Sequence, residues 1–436
     1  MGNKTFICMI IMKLLQILLI NPNRILNPPV IPIGLEYLKT SLEKCEYKVE
    51  ILDLCFEPKP IKTLNKFLEV NNVDIVGITI RNIDTSSFFT SNYILPKINE
   101  IVQFLKNYNI PIVLGGPGFS AMPNEILEYL KADYGVIGPG ETAFPRLLKL
   151  WQNKSLNKKL INGWKLDYDL DLIHYRGKSI KYKKYLSKGG IVGFETHKGC
   201  ENKCPYCIES CKPISYKKVS HIISEIKYLV DQGYDHFHLC DSEFNSDLNF
   251  SINFCRELIK TNIPNLMKWA LYMKPYPYNE EIFKLLHKSN AYLITLSVDS
   301  YKKIRDLNQY SNNDLAKIIK YCKKYRIKLA IDLLTGYPNE SLKSIKDCIL
   351  FFKKLRPEKV GITFKYRIYN HTPLAELLKN DKSLHSGLSR KYYSDEKFLK
   401  PIFYSQIESD FIENLIDGDS IFRISGLKPG VNYQLD

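Results

Sequence analysis

The densest chemistry in the chain lies in one short stretch, His197-Lys198-Gly199-Cys200-Glu201-Asn202-Lys203-Cys204-Pro205-Tyr206-Cys207. Three thiolates in so tight a loop can hold three irons of a cubane 4Fe–4S cluster, where an electron-transfer centre would use four. The fourth iron then stays open to an outside ligand, as a catalytic zinc keeps one position free of protein. An amino-acid-type ligand can chelate that iron, and an electron from the cluster can break its C–S bond. The competing reading is a zinc knuckle completed by Cys211 or His197. The position of the loop, after the first strand of a βα barrel, favours the cluster. The other eight cysteines (Cys8, Cys45, Cys55, Cys211, Cys240, Cys255, Cys322, Cys348) stand singly and read as small buried hydrophobes. A total of 11 is odd, which argues against a fully paired secreted protein. The cytoplasm of an organism with little oxygen is the expected setting.

A second set of residues marks the carboxyl ends of strands in the first third of the chain. These are Asn21-Pro22-Asn23, Thr79-Ile80-Arg81-Asn82, Gly115-Gly116-Pro117-Gly118 and Gly138-Pro139-Gly140-Glu141. Glycines there let backbone approach a bulky ligand. Tight strand-to-helix turns with no ligand are the plain alternative, but two such turns on neighbouring loops favour a pocket.

The elements that must position both sets follow from hydrophobic patterning. Runs at 14–20, 48–52, 75–80, 110–114 and 134–137 are rich in Ile, Val and Leu with little alternation, as strands buried on both faces are. Helices are expected at 33–43, 95–107, 124–130 and 142–151. Residues 1–151 therefore read as an α/β doubly wound, Rossmann-like domain whose ligand crevice lies at the carboxyl ends of its strands. Residues 152–190 shift to Lys, Asn and Tyr and read as a connecting segment packed across both halves. From 191 to 370 the alternation resumes with a longer period. Strands are expected at 191–196, 236–240, 268–273, 292–298, 328–335 and 359–365, with helices near 217–231, 249–261, 279–288, 312–325 and 341–355. Val219, Ile222, Ile223, Ile226, Leu229 and Val230 form one apolar stripe on the first of these helices. Six repeats make a (β/α)6 partial barrel with its chemistry at the strand carboxyl ends. The extension 371–436 is expected to cap the barrel or its mouth.

At 436 residues the chain can build two or three domains. A hydrophobic content of 45% and a charged content of 25% are those of a globular protein. The net charge of +16 invites a nucleic-acid reading, but Lys far outnumbers Arg and no basic run is interleaved with aromatics. Nucleic acid is not expected as a substrate. The apolar run 6–20 is about 15 residues, short of the ~20 a spanning helix needs, and Lys13 and Gln16 interrupt it. It reads as a short leader followed by a buried strand, with Met12 as an alternative start and no membrane association.

The cysteine motif, with an aromatic before its last Cys on the first loop of a six-repeat barrel, resembles the radical S-adenosylmethionine (SAM) superfamily. Residues 1–150 are similar to the cobalamin-binding domain of one large branch of it, through Pro32-Ile33-Gly34-Leu35-Glu36-Tyr37-Leu38 and the turns at Leu114–Pro117 and Gly138–Glu141. Gly77-Ile78-Thr79-Ile80-Arg81-Asn82-Ile83-Asp84, Asp241-Ser242-Glu243-Phe244-Asn245 and Val431-Asn432-Tyr433 resemble a subgroup that includes cobalamin-dependent methyltransferases.

The resemblance implies three cofactors: a 4Fe–4S cluster on Cys200, Cys204 and Cys207, SAM, and cobalamin. Asp241, Ser242 and Glu243 take the place of the residues that bind the methionyl amino group, and carboxylates suit an ammonium. Asp299 and Ser300 match a ribose-binding pair, Gly336 and Pro338 a turn near the adenine, and Tyr206 flanks that base. Thr79, Arg81, Gly115, Gly116, Pro117, Gly118, Gly138, Gly140 and Glu141 are the expected cobalamin contacts. Residues 1–150 contain no histidine, and His174 is the first in the chain. A histidine on cobalt from an Asp-x-His-x-x-Gly motif is therefore impossible: either the domain has lost cobalamin, or it holds cobalamin with no histidine on the lower face, where Arg81 is the candidate to exclude water. The implied activity is methylation of an unactivated carbon, or phosphorus, of a small molecule or peptide, with an electron donor such as flavodoxin or ferredoxin. Arg367, Tyr366 and Tyr369 are candidate substrate contacts. The alternatives are a non-methylating rearrangement, cyclisation or epimerisation with the same cofactors, methylthiotransfer to tRNA, and a non-enzymatic module with a structural cluster.

Overall fold

A computed structural model of the chain describes residues 14–166, 172–389 and 397–427. The leader, Met12 and the Val431–Tyr433 motif lie outside the described residues. The first sheet is built from β1 (Gln16–Asn21), β2 (Lys48–Asp53), β3 (Ile75–Thr79), β4 (Ile112–Gly115), β5 (Tyr134–Ile137) and β6 (Leu160–Asn162). All pair in parallel in the order β2-β1-β3-β4-β5-β6. Side chains alternate across each strand. Leu18, Ile20, Val76 and Ile78 pack under α2 (Pro60–Val70), α3 (Leu95–Lys106) and α5 (Pro123–Leu130), whereas Ile17, Leu19, Ile75 and Val113 pack under α1 (Ile33–Lys44) and α6 (Gly140–Gln152). A short α4 (Pro117–Ala121) follows β4. Strand order reverses between β1 and β3, which places the crevice at their carboxyl ends.

Two elements here differ from expectation. α2 was not anticipated, although Ile61, Leu64, Phe67 and Leu68 lie on one face behind Pro60 at the first turn. β6 falls inside the expected connecting segment, so the first sheet runs past residue 151 to Asn162. Three residues are too few to show a period.

The rest of the connection carries α7 (Tyr182–Leu186) and knits the halves together. Arg176 is buried. Its Nε donates to Glu225 Oε1 at 2.7 Å, Nη1 to the Tyr182 hydroxyl at 2.7 Å and Nη2 to the Gly193 carbonyl at 2.6 Å. Glu36 of α1 accepts from Gly177 N, and the Tyr37 hydroxyl donates to Glu225.

The second sheet holds seven parallel strands where six were expected: β7 (Val192–Phe194), β10 (His236–Leu239), β11 (Lys268–Met273), β12 (Ala291–Asp299), β13 (Lys328–Leu334), β14 (Lys359–Thr363) and β17 (Phe422–Ile424), in that order. Helices α8 (Val219–Asp231), α9 (Leu248–Ile259), α10 (Glu280–Lys288), α12 (Asn312–Lys324) and α13 (Leu342–Leu355) cover its outer face, with a short α11 (Lys302–Leu307) after β12. Between β7 and α8 the chain makes an antiparallel hairpin, β8 (His197–Cys200) and β9 (Lys212–Tyr216).

Beyond the expected cap, the extension contributes β17, which lengthens the sheet beside β14. The extension also supplies α14 (Pro373–Asn380), α15 (Ser409–Ile416) and β16 (Phe403–Tyr404), which pairs with β15 (Tyr366–Arg367). At the β7 edge, α1 of the first domain closes the sheet. Ile31, Ile33 and Tyr37 share one apolar cluster with Val192, Phe194 and Leu239.

Candidate functional site

Cys200 is the last residue of β8, and Cys204 and Cys207 lie in the turn between β8 and β9. Gly199 sits at φ +96°, and a Cβ there would come within 2.0 Å of the Pro213 carbonyl, so the hairpin closes behind Cys200 only with glycine. Asn308 Nδ2 donates to Cys204 Sγ and Glu209 N to Cys207 Sγ, each at 3.4 Å. Burial pushes the thiols of Cys200 and Cys207 up to about 12 and about 11. A metal is what would hold them as thiolates.

Among the described residues no three His, Cys, Asp or Glu side chains close to single-ion coordination. A cubane spreads its ligands over three irons. The residues offered above to complete a zinc site are committed elsewhere. Cys211 is exposed, with its thiol facing Asn202 O, and His197 Nδ1 lies 3.0 Å from Asp241 Oδ2 with both side chains buried. Cys45 and Cys240 are also exposed, against the expectation for single cysteines, whereas Cys55, Cys255, Cys322 and Cys348 are buried. Cys8 lies outside the described residues.

The three residues after β10 separate in role. Asp241 is saturated: Thr196 N donates to it at 2.7 Å, and His197 and the Thr196 hydroxyl complete its shell. It fixes the link from β7 into the hairpin and is not open to a ligand. Ser242 Oγ donates to Glu209 Oε2 at 2.9 Å, tying this loop to the cysteine turn. Glu243 is buried, and its Oε2 has no hydrogen-bond partner among the described residues. Burial pushes its carboxyl up to about 8, against the pull of Ser297 and Lys274. A buried, half-satisfied carboxyl fits a ligand ammonium.

Asp299 ends β12 and accepts from the Tyr206 hydroxyl at 2.9 Å, and burial raises its carboxyl to about 7. Ser300 is turned inward, donating to Glu340 Oε1 at 2.5 Å, while Glu340 Oε2 accepts from Gly336 N at 2.8 Å. Ser300 thus braces the Gly336–Pro338 turn instead of facing a ligand. Tyr206 joins an aromatic group, its ring tilted against Tyr366 at 5.2 Å, and Tyr337 meets Tyr366 edge-on at 5.8 Å. Sequence reading missed Lys274, just past β11, and Ser297 and Asp332, on β12 and β13, which act on Glu243. Their signal was only the inward alternation of strand positions.

The three substrate candidates do not share a fate. Arg367 donates from Nε to Asp84 and from both terminal nitrogens to the carbonyls of Ile368, Phe398 and Leu399. All five N–H groups are used, so Arg367 is a clamp and not a substrate contact. Tyr366 is buried in the aromatic group. Tyr369 is half-buried, bonds Ser86 through its hydroxyl at 2.8 Å and lies near Cys207.

In the first domain, a Cβ at Gly116 would fall 2.7 Å from Thr79 Oγ1 and 2.8 Å from Ile80 O, and one at Gly118 would fall 2.9 Å from Ile80 O. The loop after β4 is thus pressed onto the end of β3. A Cβ at Gly115 would meet nothing closer than 3.9 Å, which leaves space over the crevice. Gly138 N donates to Ser120 Oγ, which donates to Gly116 O, so the two glycine turns move as one. Arg81 is exposed at the end of β3, bonds Asn82 and lies close enough to Cys240 of the barrel to act on its thiol. Glu141 is largely drawn to Lys198. A separate surface cavity of about 310 Å³, lined by Arg24, Ile61, Ile94 and Lys97, contains none of the expected cofactor contacts.

The loop after β3, from Arg81 to Asn92, crosses to the barrel. Asp84 meets Arg367, Ser86 meets Tyr369, and Phe88 packs on Phe403 with centroids 5.5 Å apart. This loop therefore bridges the carboxyl ends of β3 and β14. Among the described residues no helix is long and apolar enough to cross a membrane.

Residues 26–148 match the family model of the B12 binding domain, and residues 194–352 that of the radical SAM superfamily. The chain is similar to tryptophan 2-C-methyltransferase of Streptomyces laurentii, 24% identical over 443 residues, covering 83% of this chain and 74% of that one. Its fold is similar to the radical SAM methyltransferase TsrM of Kitasatospora setae, solved with cobalamin and a 4Fe–4S cluster bound. The TM-score is 0.83 at 22% identity over 94% of this chain and 92% of that one. It is also similar to the cobalamin-dependent SAM radical enzyme OxsB, with a TM-score of 0.73 at 15% identity over 94% of this chain and 66% of that one. The two domains imply cobalamin, SAM and a 4Fe–4S cluster as cofactors, the set that the orphaned Glu243 carboxyl, the cysteine turn and the open crevice fit. This chain belongs to the radical SAM superfamily, among the enzymes whose barrel follows a B12-binding domain.

Proposed function

We propose that the enzyme is a methyltransferase that moves a methyl group to an unactivated carbon, or to phosphorus, of a small molecule or peptide. The observation that carries this reading is the crossing of the β3 loop onto the β14 end, through Asp84–Arg367 and Ser86–Tyr369. One substrate in the space between can meet a methyl donor on one side and a hydrogen-abstracting centre on the other. When bound, cobalamin supplies the methyl group, and SAM at a reduced cluster supplies a 5′-deoxyadenosyl group able to take a hydrogen atom.

The chain's own residues hold and orient. Cys200, Cys204 and Cys207 hold the cluster, Glu243 receives the methionyl ammonium, and Asp299 and Tyr206 hold the nucleoside. The turns at Gly115–Gly118 and Gly138–Gly140 would cradle cobalamin, and Arg81 would help to exclude water from it. Tyr369 and the Phe88 loop bound the substrate space and keep solvent out. An electron donor of the flavodoxin or ferredoxin type would supply the reducing electron, in the cytoplasm.

The test is product analysis with methyl-deuterated SAM. Methyl transfer with radical activation yields S-adenosylhomocysteine and 5′-deoxyadenosine in about equal amounts, because two SAM molecules do separate jobs, and the product gains the labelled methyl. Rearrangement, cyclisation or epimerisation yields 5′-deoxyadenosine with no matching S-adenosylhomocysteine and no added methyl. S-adenosylhomocysteine alone would replace the radical step with a polar transfer.

A further inference from the structure

Lys198 stands two residues before Cys200 on β8, opposite Ser215 of β9. Its ammonium lies 2.9 Å from Glu141 Oε1 and 2.8 Å from Glu195 Oε1. Lys217, which follows the other arm of the hairpin, lies 3.2 Å from the same Glu195 oxygen and 3.6 Å from the centre of the Tyr37 ring. Four charges of alternating sign, Glu141, Lys198, Glu195 and Lys217, thus run along the base of the cysteine hairpin. All are largely buried, with side-chain exposures of 8, 17, 12 and 2%.

Glu141 lies in the first turn of α6, directly after the Gly138-Pro139-Gly140 turn. That turn is tied through Ser120 to Gly116. A continuous line of contacts therefore runs from the open side of the cobalamin crevice to the first cluster cysteine. Burial works against charge at Glu195, yet the ammonium groups of Lys198 and Lys217 hold its carboxyl below the usual carboxylate range.

We propose that Lys198 is a positioning residue that couples the two cofactor sites, so that filling the cysteine hairpin with its cluster tightens the cobalamin crevice and the reverse. The inference rests on the reading that the chain binds both cofactors. Metal on Cys200 orders the end of β8, and Lys198 transmits that order to Glu141 and the glycine turns. Coupling of this kind is reciprocal.

The experiment is an absorbance titration of the full-length protein with hydroxocobalamin, before and after anaerobic assembly of the cluster. Wild type should bind cobalamin at least about fivefold more tightly with the cluster than without it, the lower end of ordinary site-to-site coupling. Lys198→Met should bring that ratio close to one while still taking up both cofactors, and Lys198→Arg should restore it. Glu141→Gln, which leaves Lys198 its pair with Glu195, should lower the ratio in a protein that keeps the hairpin charged. By reciprocity, cobalamin should raise the chelator concentration needed to remove half of the iron at equilibrium in wild type and not in Lys198→Met. A wild-type ratio of one, or a ratio kept in both Lys198→Met and Glu141→Gln, overturns the coupling while the two cofactor sites stand. Wild type that takes up no cobalamin or no iron overturns the functional reading, and the coupling with it.

Discussion

Arg367 Nε donates to Asp84 Oδ2 at 2.8 Å across 283 positions of chain, with neither side chain more than 3% exposed. One partner belongs to the loop after β3 of the cobalamin-binding sheet, the other to β15 beyond the barrel's sixth strand. Solvent scarcely screens this pair, and every donor of the guanidinium is satisfied, so the contact locks the two halves together.

Replacing Arg367 by Met leaves the Asp84 carboxylate buried without its cation. Breaking such a pair from one side costs about 3–5 kcal/mol, which should show as a lowered urea midpoint. Adding Asp84→Asn should return part of the loss. A substrate-binding role would instead raise KM at unchanged stability.

Anaerobically assembled protein should carry about four irons per chain, the cubane stoichiometry. The triple replacement of Cys200, Cys204 and Cys207 by Ala should abolish iron uptake and SAM cleavage, measured by iron assay and 5′-deoxyadenosine formation. Cys211→Ala should leave both intact, because that thiol is exposed and faces Asn202 O. Loss of iron in Cys211→Ala would displace the three-ligand assignment.

Glu243 carries the clearest pH signature. Its folded carboxyl titrates at about 8, raised by burial, against an ordinary 4.5. The folded cofactor-free protein therefore holds this proton through an interval in which the unfolded chain releases it. Its contribution to stability is full below pH 4.5 and is lost progressively as pH rises to about 8. Glu243→Gln should flatten that part of the stability profile. SAM has the opposite dependence, since its ammonium needs the carboxylate. Equilibrium dialysis should show affinity rising towards pH 8 in wild type, and a weak, pH-independent affinity in Glu243→Gln.

Bound cobalamin, reduced to the cob(II) state, should give a paramagnetic spectrum without nitrogen splitting from histidine. Residues 1–150 contain none, and Arg81 is the side chain at the end of β3. Arg81→Ala should leave cobalamin uptake within a few fold and shift the spectrum towards water on the lower face. Nitrogen splitting in wild type would count against the placement of Arg81.

Most of the fold was legible because its strands are buried on both faces. Ile75–Thr79 and Lys268–Met273 are short Ile-, Val- or Leu-bearing runs between turn residues, and they need no partner to be recognised. β6 and β17 were not legible. Each is three residues long, and each exists because a neighbouring edge, β5 or β14, offers it hydrogen bonds. At the site, the cysteines were readable from spacing alone. Spacing could not divide the labour within Asp241-Ser242-Glu243, because which carboxylate is saturated depends on Thr196 and His197 some 45 residues earlier. Arg367 misled for the same reason: its partner, Asp84, comes from the other domain.

The place of β17 bears on the order in which the molecule can be made. The first sheet is complete once Asn162 has left the ribosome, but α1 then presents Ile33 and Tyr37 to solvent until β7 arrives to cover them. The barrel grows one strand at a time from that covered edge, and its far side, β14, keeps an unpaired row of backbone donors and acceptors until Phe422–Ile424 is synthesised. For the roughly 60 residues in between, a few seconds at ordinary elongation rates, the nascent enzyme carries an exposed strand edge of the kind that recruits other chains.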